Sequence, residues 1–171
     1  LTSNCRLDMA QADHFVPAGG GNRLMDNHTG VWPNAIDPDS RNVDLTKFPP
    51  KSDRTQDYSV FKNQKEGWYA VTNPDIGIGF GLSYPVKIFQ YLWYWQVFGG
   101  GSGYPWYNRT YNVGLEPFTS LGAGIPEPGS EERTSMIFKP GETKRATVRA
   151  VVFESTTGVS RITEEGLVTT L

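Results

Sequence analysis

The sequence predicts an all-β protein whose strands pack as an antiparallel sandwich. Nineteen glycines and twelve prolines among 171 residues leave few windows that suit a helix. Short runs rich in Val, Ile, Thr, Tyr, Phe and Trp alternate with clusters of Gly, Pro, Asn and Asp, which is typical of strands separated by turns. Many short strands with no clear helix between them favour an antiparallel sandwich over a parallel sheet.

The predicted strands follow one another in chain order. The clearest lies at residues 143–154, where polar and apolar side chains alternate before an apolar end. Pro140 and Gly141 form a turn signal just before it, which predicts a hairpin with residues 135–138. Residues 159–171 suit either a short helix or a final strand, and their glycine and closing threonines weaken the helix. The predicted strands are 5–9, 58–63, 68–72, 76–83, 88–98, 111–116, 135–138 and 143–154.

Residues 19–57 predict a long loop within a single domain that spans residues 1–171. The segment holds a run of glycines, several Asp and Asn, and repeated prolines, while aliphatic side chains are sparse. A loop of this length inside a compact domain usually has a task, and often covers a site. Residues 120–132 predict a second loop of the same kind.

The composition excludes several classes of partner. The formal net charge of −2 argues against nucleic acid, which needs a basic face to displace phosphate counterions. The longest apolar stretch, residues 86–98, is too short and too polar to span a membrane. The single cysteine, Cys5, cannot form an internal disulfide, so we expect a reducing, cytoplasmic setting. His14 and His28 lack the spacing of metal ligands, so we expect no metal site.

The densest segment of the chain, residues 91–117, carries three of the five tryptophans around a glycine run. Sugar sites have this composition, because the C–H faces of a pyranose lie on aromatic rings while fixed polar groups meet its hydroxyls. Alternation places Trp93 and Trp95 on one face of a strand and Gln96 on the other. The tryptophans are interpreted either as sandwich core or as walls of a sugar site, and Gln96 as a contact to hydroxyls.

The glycine-rich residues 99–107 end in aromatic side chains. A phosphate-binding loop would need a following helix and a Lys with Ser or Thr, and the sequence offers neither. A wide hairpin loop that holds Trp106 and Tyr107 over a cleft fits better. Asn108 and Arg109 follow at its foot, where they could bind hydroxyls or a ring oxygen.

Glu116 is the carboxylate best placed for chemistry. In residues 111–116 the period of two puts Asn112, Gly114 and Glu116 on one face, which is too polar for a core but suits a cleft. Gly114 leaves room for something to approach the strand closely. A carboxylate half-buried among aromatic rings is a candidate general base. The alternative is a strand-end glutamate paired with an arginine such as Arg109.

Five short motifs follow one another in the second part of the chain: GWYAV at 67–71, GIGF at 77–80, LWYWQ at 92–96, YPWY at 104–107 and GLEP at 114–117. By their order and spacing, these motifs resemble the C-terminal half of aldose 1-epimerase (galactose mutarotase)-like proteins. The resemblance covers most of the chain from about Trp68 onward. Residues 148–154, after the turn at 140–142, are similar to the closing strands of that family.

The resemblance implies the large antiparallel supersandwich of that family, of which this chain would form only the C-terminal portion. It also implies interconversion of the α and β anomers of a hexose by acid/base ring opening, without a cofactor. Glu116 matches the family's base, which takes the proton from the anomeric hydroxyl. The side chains expected to shape the site and contact the sugar are Trp93, Trp95, Gln96, Trp106, Tyr107, Asn108 and Arg109.

The family's acid is a histidine that lies upstream of the segment matching Leu1, so its role transfers to neither histidine here. The alternative function is therefore a non-catalytic carbohydrate-binding β-sandwich module or an inactive fragment. A partial sandwich would also expose sheet edges and apolar surface. Association with a second copy, or with the missing N-terminal half, would cover them.

Overall fold

Two antiparallel sheets stacked face to face form the body of the molecule, as the sequence predicts. The computed structural model describes residues 1–19, 21–122 and 134–171. Helical structure in these ranges is confined to a 3-10 turn at Lys51–Asp53, and no helix there is long and apolar enough to cross a membrane. The strands are β1 (Arg6–Met9), β2 (Asp13–Val16), β3 (His28–Val31), β4 (Asn34–Ile36), β5 (Asn42–Asp44), β6 (Thr55–Lys62), β7 (Trp68–Asn73), β8 (Ile78–Ser83), β9 (Tyr91–Phe98), β10 (Tyr111–Phe118), β11 (Arg149–Glu154), β12 (Val159–Ile162) and β13 (Val168–Thr170).

The larger sheet has five strands in the order β10-β9-β6-β2-β3, and the smaller has four in the order β1-β7-β8-β11. Hairpins β4–β5 and β12–β13 form two further two-stranded sheets. Strand β9 lies between β6 and β10, so the aromatic segment is hydrogen-bonded on both sides. Its side chains point alternately to the two faces of the sheet.

The core lies between the two sheets and is built from alternate side chains of each strand. The inner row of β9, at 0% exposure, consists of Leu92, Tyr94, Gln96 and Phe98. Its apolar members share one hydrophobic cluster with Leu7, Met9 and Tyr69 of the four-stranded sheet. Full burial of each such apolar side chain contributes about 1.5–3 kcal/mol to folding, so this row is a main source of stability.

The hairpin β12–β13 covers the other face of the four-stranded sheet. Val159 and Ile162 of the hairpin pack with Trp68 and Ala70 of β7 in a second buried cluster. The backbone N–H of Val159 also donates to the carboxylate of Asp8 at 3.0 Å. The last part of the chain therefore forms a third layer over the sandwich.

One side of the sandwich is open. Strand β10 is one edge of the five-stranded sheet and β11 is one edge of the four-stranded sheet, and an apolar cleft of about 410 Å³ opens between the two sheets on this side. Val113 and Leu115 line it from the five-stranded sheet, and Phe80 and Val152 from the four-stranded sheet. Phe80 is 45% exposed and Val152 is 75% exposed, so this part of the inner surface is uncovered within the described residues.

The segment predicted as a long loop at about 19–57 is more regular than expected. It contains the short strands β3, β4 and β5, besides the 3-10 turn and the start of β6. Strand β2, which lies just before this segment, was also not predicted from the sequence. These strands are short and polar, and pairing with distant partners holds them in place: β3 pairs with β2, which in turn pairs with β6.

The predicted hairpin between residues 135–138 and 143–154 is wrong. Its turn does form, since the N–H of Glu142 donates to the carbonyl of Lys139 at 2.9 Å, but residues 135–138 form no strand. Only Arg149–Glu154 of the second segment is a strand, because its partner β8 is six residues long. Residues 159–171, left open between helix and strand, form the hairpin β12–β13. Of the loop predicted at 120–132, residues 123–132 lie outside the described residues.

Candidate functional site

The outer face of the five-stranded sheet gathers most of the aromatic side chains that the sequence singled out. Residues directly opposite each other on antiparallel strands point to the same face. Trp93 lies opposite Glu116, and Trp95 lies opposite Gly114 on one side and Tyr58 on the other. We call this set of rings the outer aromatic face: Tyr58, Trp93, Trp95, Trp106 and Phe118.

Glu116 is exposed and lies beside this face. Within the described residues it forms no ion pair, so the alternative pairing with Arg109 is not observed. A Cβ atom built on Gly114 would lie only 2.8 Å from the Oε1 atom of Glu116 and 3.6 Å from the Cε3 atom of Trp95. The glycine therefore makes the space in which the carboxylate lies next to the indole of Trp95.

The indole of Trp93 is held in a fixed orientation. It stacks on Phe118, with ring centroids 3.5 Å apart and planes 7° from parallel, and meets the ring of Tyr58 edge-on at 5.7 Å. Its Nε1 atom donates a hydrogen bond to the carbonyl of Ser120 at 2.9 Å. Trp93 remains partly exposed, so one aromatic surface next to Glu116 is rigid and reachable from solvent.

The glycine-rich loop brings a third indole to the same face. Residues 99–110 join β9 to β10 as the predicted wide hairpin loop, and Trp106 packs on Trp95 with ring centroids 5.0 Å apart. Gly101, with φ of +73°, passes so close to Trp106 that a Cβ would lie 2.9 Å from its ring. Glycine at this position therefore lets the loop fold Trp106 back over the strand.

Tyr107, Asn108 and Arg109 lie on the same loop but further from Glu116 along the chain of rings. Tyr107 is 53% exposed, and Arg109 is also exposed. The carbonyl of Arg109 accepts a hydrogen bond from the Nζ atom of Lys51 at 2.7 Å. The loop thus carries exposed aromatic and polar groups beside the tryptophans, on a backbone fastened to the body of the protein.

Gln96 does not join this group. It is fully buried on the inner face, opposite Asp57, and its Oε1 atom accepts a hydrogen bond from the guanidinium of Arg23 at 3.1 Å. The expectation that the row containing Gln96 would meet sugar hydroxyls therefore fails, because this row is the core row of β9. The tryptophan row lies on the outer face, where Trp93 packs against a third buried cluster that is formed by Phe15, Val60, Tyr91 and Leu121.

Tyr58 belongs to the site but was not predicted from the sequence. It comes 37 residues before Trp95 in the chain, and only the pairing of β6 with β9 brings the two together. Partial burial, and next the negative charge of Glu116, raise the pKa of its hydroxyl. Tyr58 therefore stays protonated at neutral pH, and its hydroxyl donates a hydrogen bond to the carbonyl of Leu121 at 3.5 Å.

The two histidines of the chain lie on the opposite side of the sheet. His14 is 1% exposed and faces the core beside Phe61, and His28 follows it on the inner face of β3. Burial, and next the charge of His28, lower the pKa of His14 to about 4. Neither imidazole reaches the outer aromatic face as an acid.

Other clefts have different chemistry. A polar cleft of about 470 Å³ is lined by Glu66 and Arg161, whose carboxylate and guanidinium form two hydrogen bonds of 3.1 and 2.7 Å. The apolar cleft on the open side was described above. Within the ranges that the structure covers, no group of three or more His, Cys, Asp or Glu is placed to hold a metal ion.

Comparison with family models, with curated proteins and with solved structures returns no match for this chain. The fold that the structure defines is an all-β antiparallel sandwich. The candidate site is defined by its own residues: a carboxylate without an ionic partner in the part of the chain that the structure describes, and a tyrosine beside three indoles on one face of a sheet.

Proposed function

We propose that this chain is a carbohydrate-binding protein of the aldose 1-epimerase-like kind, which interconverts the α and β anomers of a hexose. The observation that supports this most strongly is the exposed carboxylate of Glu116, which has no ionic partner among the described residues and lies beside the partly exposed rings of Trp93 and Trp95. Aromatic faces bind the C–H surface of a pyranose, while a free carboxylate can accept a proton from a hydroxyl.

In this reaction Glu116 accepts the proton of the anomeric hydroxyl. The bond between C1 and the ring oxygen breaks, the ring oxygen takes a proton from a water molecule, and the open-chain aldehyde forms. C1 rotates and the former ring oxygen attacks its other face, giving its proton back to the solvent hydroxide, while Glu116 returns its proton to the new anomeric oxygen. Trp93 and Trp95 hold the ring against the sheet. No cofactor is needed for these steps.

A second candidate function is a sugar-binding module without catalysis. It is favoured by one observation: both histidines lie on the inner face, so no imidazole adjoins Glu116 to protonate the ring oxygen. Loss of one acid–base partner costs roughly two to four powers of ten in rate. Both candidates share the outer aromatic face as the binding surface.

The two functions are separated by measuring anomer exchange and sugar binding on the same sample. Exchange of α and β D-glucose and D-galactose would be followed by NMR, with the wild-type chain, Glu116→Gln, and Glu154→Gln as the matched control on an exposed strand glutamate. The catalytic proposal expects exchange faster than the buffer rate, about 10²–10⁴-fold slower in Glu116→Gln and unchanged in Glu154→Gln.

Sugar binding without exchange would select the binding module. Exchange that is unaffected by Glu116→Gln would remove Glu116 as the base, and the absence of both signals would overturn the proposed function.

A cytoplasmic setting remains part of the proposal, supported by the single cysteine, Cys5, which is a free, buried thiol.

A further inference from the structure

A small polar cleft lies at one end of the four-stranded sheet, whereas the outer aromatic face belongs to the five-stranded sheet. Its volume is about 230 Å³, below the range of about 300–1,000 Å³ that is usual for drug-sized ligands, so it suits a smaller one. Hydroxyl, amide and cationic side chains line it, and no carboxylate does so among the residues that the structure describes. We call it the hydroxyl cleft and define it by Arg6, Thr46, Lys47, Thr72 and Thr157.

Strand pairing places two cations and a hydroxyl side by side in this cleft. Arg6 lies directly opposite Thr72 of β7, and an isolated antiparallel bridge sets it opposite Lys47 on its other side. Residues directly opposite each other on antiparallel strands point to the same face, with Cβ atoms about 4.5–5.5 Å apart. Like charges in this arrangement repel, so an anion bound between Arg6 and Lys47 would relieve an unfavourable contact.

Both cations keep N–H groups for a ligand. The Nε atom of Arg6 donates to Asp8 at 2.7 Å, and the guanidinium makes no other hydrogen bond within the described ranges. The Nζ atom of Lys47 lies 3.3 Å from the Oδ2 atom of Asp44, and the lysine side chain is 78% exposed. Exposed ion pairs of this kind contribute little to stability, so Lys47 can turn toward an anion at small cost.

Thr72 supplies the observation that points to a ligand. Its side chain is fully buried, and its Oγ1 atom has no hydrogen-bond partner in the part of the chain that the structure covers. Buried hydroxyls are nearly always hydrogen-bonded, because an unpaired one keeps the full cost of desolvation. Thr72 lines the cleft directly opposite Arg6, so a bound oxyanion would accept the missing hydrogen bond.

The walls of the hydroxyl cleft are held in place by contacts of their own. The Oγ1 atom of Thr46 donates to Asp44 at 2.7 Å, and that of Thr157 donates to the carbonyl of Leu171 at 2.8 Å. The turn after β11 packs on Arg6, since a Cβ built on Gly158, whose φ is +123°, would lie 2.9 Å from the Cδ atom of the arginine. A ligand therefore has to order few side chains when it binds.

We propose that the hydroxyl cleft binds a small tetrahedral oxyanion, either free phosphate or the phosphoryl group of a monoester. Arg6 and Lys47 supply the positive charge, and the hydroxyl of Thr72 donates a hydrogen bond from the floor of the cleft. This site is separate from the proposed sugar site, because the two lie on different sheets. Failure of either proposal leaves the other standing.

The test measures anion binding by isothermal titration and phosphorus NMR at constant ionic strength in chloride buffer. The probes are inorganic phosphate and glycerol phosphate. The proteins are the wild-type chain, Lys47→Gln, Thr72→Val, and Lys87→Gln as a control that removes the same charge from an exposed turn. Thr72→Val replaces an unpartnered hydroxyl with a methyl group, so the midpoint of thermal unfolding should not fall.

We expect saturable binding of at least one probe with a dissociation constant of about 1 mM or tighter, weakened about tenfold in Lys47→Gln and in Thr72→Val and unchanged in Lys87→Gln. Tighter binding of glycerol phosphate would assign the cleft to a monoester, and tighter binding of inorganic phosphate would assign it to the free ion. The absence of saturable binding, or binding that Lys47→Gln and Thr72→Val leave unchanged, would overturn the proposal. A lower unfolding midpoint in Thr72→Val would also count against it, because the hydroxyl would then already have a partner.

Discussion

Both faces of strand β9 carry aromatic side chains, but they differ in burial and in the partners of their polar groups. The inner row, which includes Tyr94 and Phe98, is fully buried between the sheets, and its polar member Gln96 is bound to Arg23. The outer row presents Trp93 and Trp95, partly exposed, to a carboxylate with no ionic partner among the described residues. Aromatic content alone therefore does not distinguish the two faces. The proposed function rests on the second difference, a carboxylate beside partly exposed rings.

The largest effect on stability should come from the inner face. Phe61 is fully buried and contacts the rings of His14, Trp32 and Tyr94 at 5.2 to 5.9 Å. Phe61→Ala should lower the free energy of unfolding by about 3–5 kcal/mol, while Phe61→Leu, which fills most of the space, should cost about 1 kcal/mol. Urea unfolding measures both. A loss of stability below about 1 kcal/mol for Phe61→Ala would show that the inner face of the five-stranded sheet is not the core.

Two buried groups on the inner face should determine how the stability of the fold changes with pH, and His14 is the first of them. Burial lowers its pKa from 6.5 to about 4, so the stability that it contributes is present above pH 6.5 and is lost as the pH falls toward 4. The loss is about 3 kcal/mol. His14→Gln should remove this loss, which urea midpoints at pH 7 and pH 4.5 would reveal. An unchanged acid response would contradict the assignment.

Asp57 is the second of these groups, and its contribution to stability changes with pH in the opposite direction. Its Oδ1 atom accepts hydrogen bonds from the backbone N–H groups of Arg23 and Leu24, but burial still raises its pKa to about 6. Its stabilising contribution is therefore fully present below its ordinary pKa of 3.8 and is lost as the pH rises through 6, by about 3 kcal/mol. Asp57→Asn should make the protein more sensitive to acid, because the gain that offsets His14 disappears. A variant less sensitive to acid than the wild type would reverse this sign.

On the outer face, ring removal should affect ligand binding more than stability. Trp95 is partly exposed, so Trp95→Ala should cost less stability than Phe61→Ala, but it should weaken sugar binding about tenfold. Trp95→Phe keeps an aromatic surface and should retain most of the affinity. Isothermal titration with the tightest-binding sugar of the panel measures both. Equal affinity in all three proteins would place the sugar elsewhere.

The smallest expected change in stability is at Gly114. Alanine suits a strand better than glycine, so Gly114→Ala should stabilise the fold by about 0.5 kcal/mol. Its Cβ would nevertheless come within 2.8 Å of the Glu116 carboxylate and displace it, so anomer exchange should fall. Gly103→Ala, which has open space around the added methyl, is the control. Exchange that survives in Gly114→Ala would show that the position of the carboxylate is unimportant.

The sequence was most informative where strands are long and strongly patterned. Strands β6 to β10 were all predicted, because their alternation and their flanking turns are explicit in the chain. Strands β2 and β3 were not, because they are short and β2 pairs with the distant β6, and the hairpin β4–β5 was not, because each of its strands has only three residues. The strand at 143–154 was predicted too long, since alternation cannot tell where the partner strand ends.

The candidate site was predicted in part for a related reason. Periodicity correctly placed Glu116 with Gly114, and Trp93 with Trp95, on shared faces. It could not say which face of β9 is buried, because that depends on what the other sheet and the preceding loop cover, and so Gln96 was misplaced. Tyr58 required the register between two strands, which no local pattern contains.

The most direct test of the outer face as the ligand surface is a titration followed by indole NMR. The five tryptophans should give separate N–H signals. Trp68, at 3% exposure, lies beneath the hairpin β12–β13, and Trp32 packs on Phe61 at the inner face. On addition of sugar, the signals of Trp93, Trp95 and Trp106 should shift together while those of Trp32 and Trp68 stay in place. Shifts confined to Trp32 and Trp68, or no shift at all, would contradict the account.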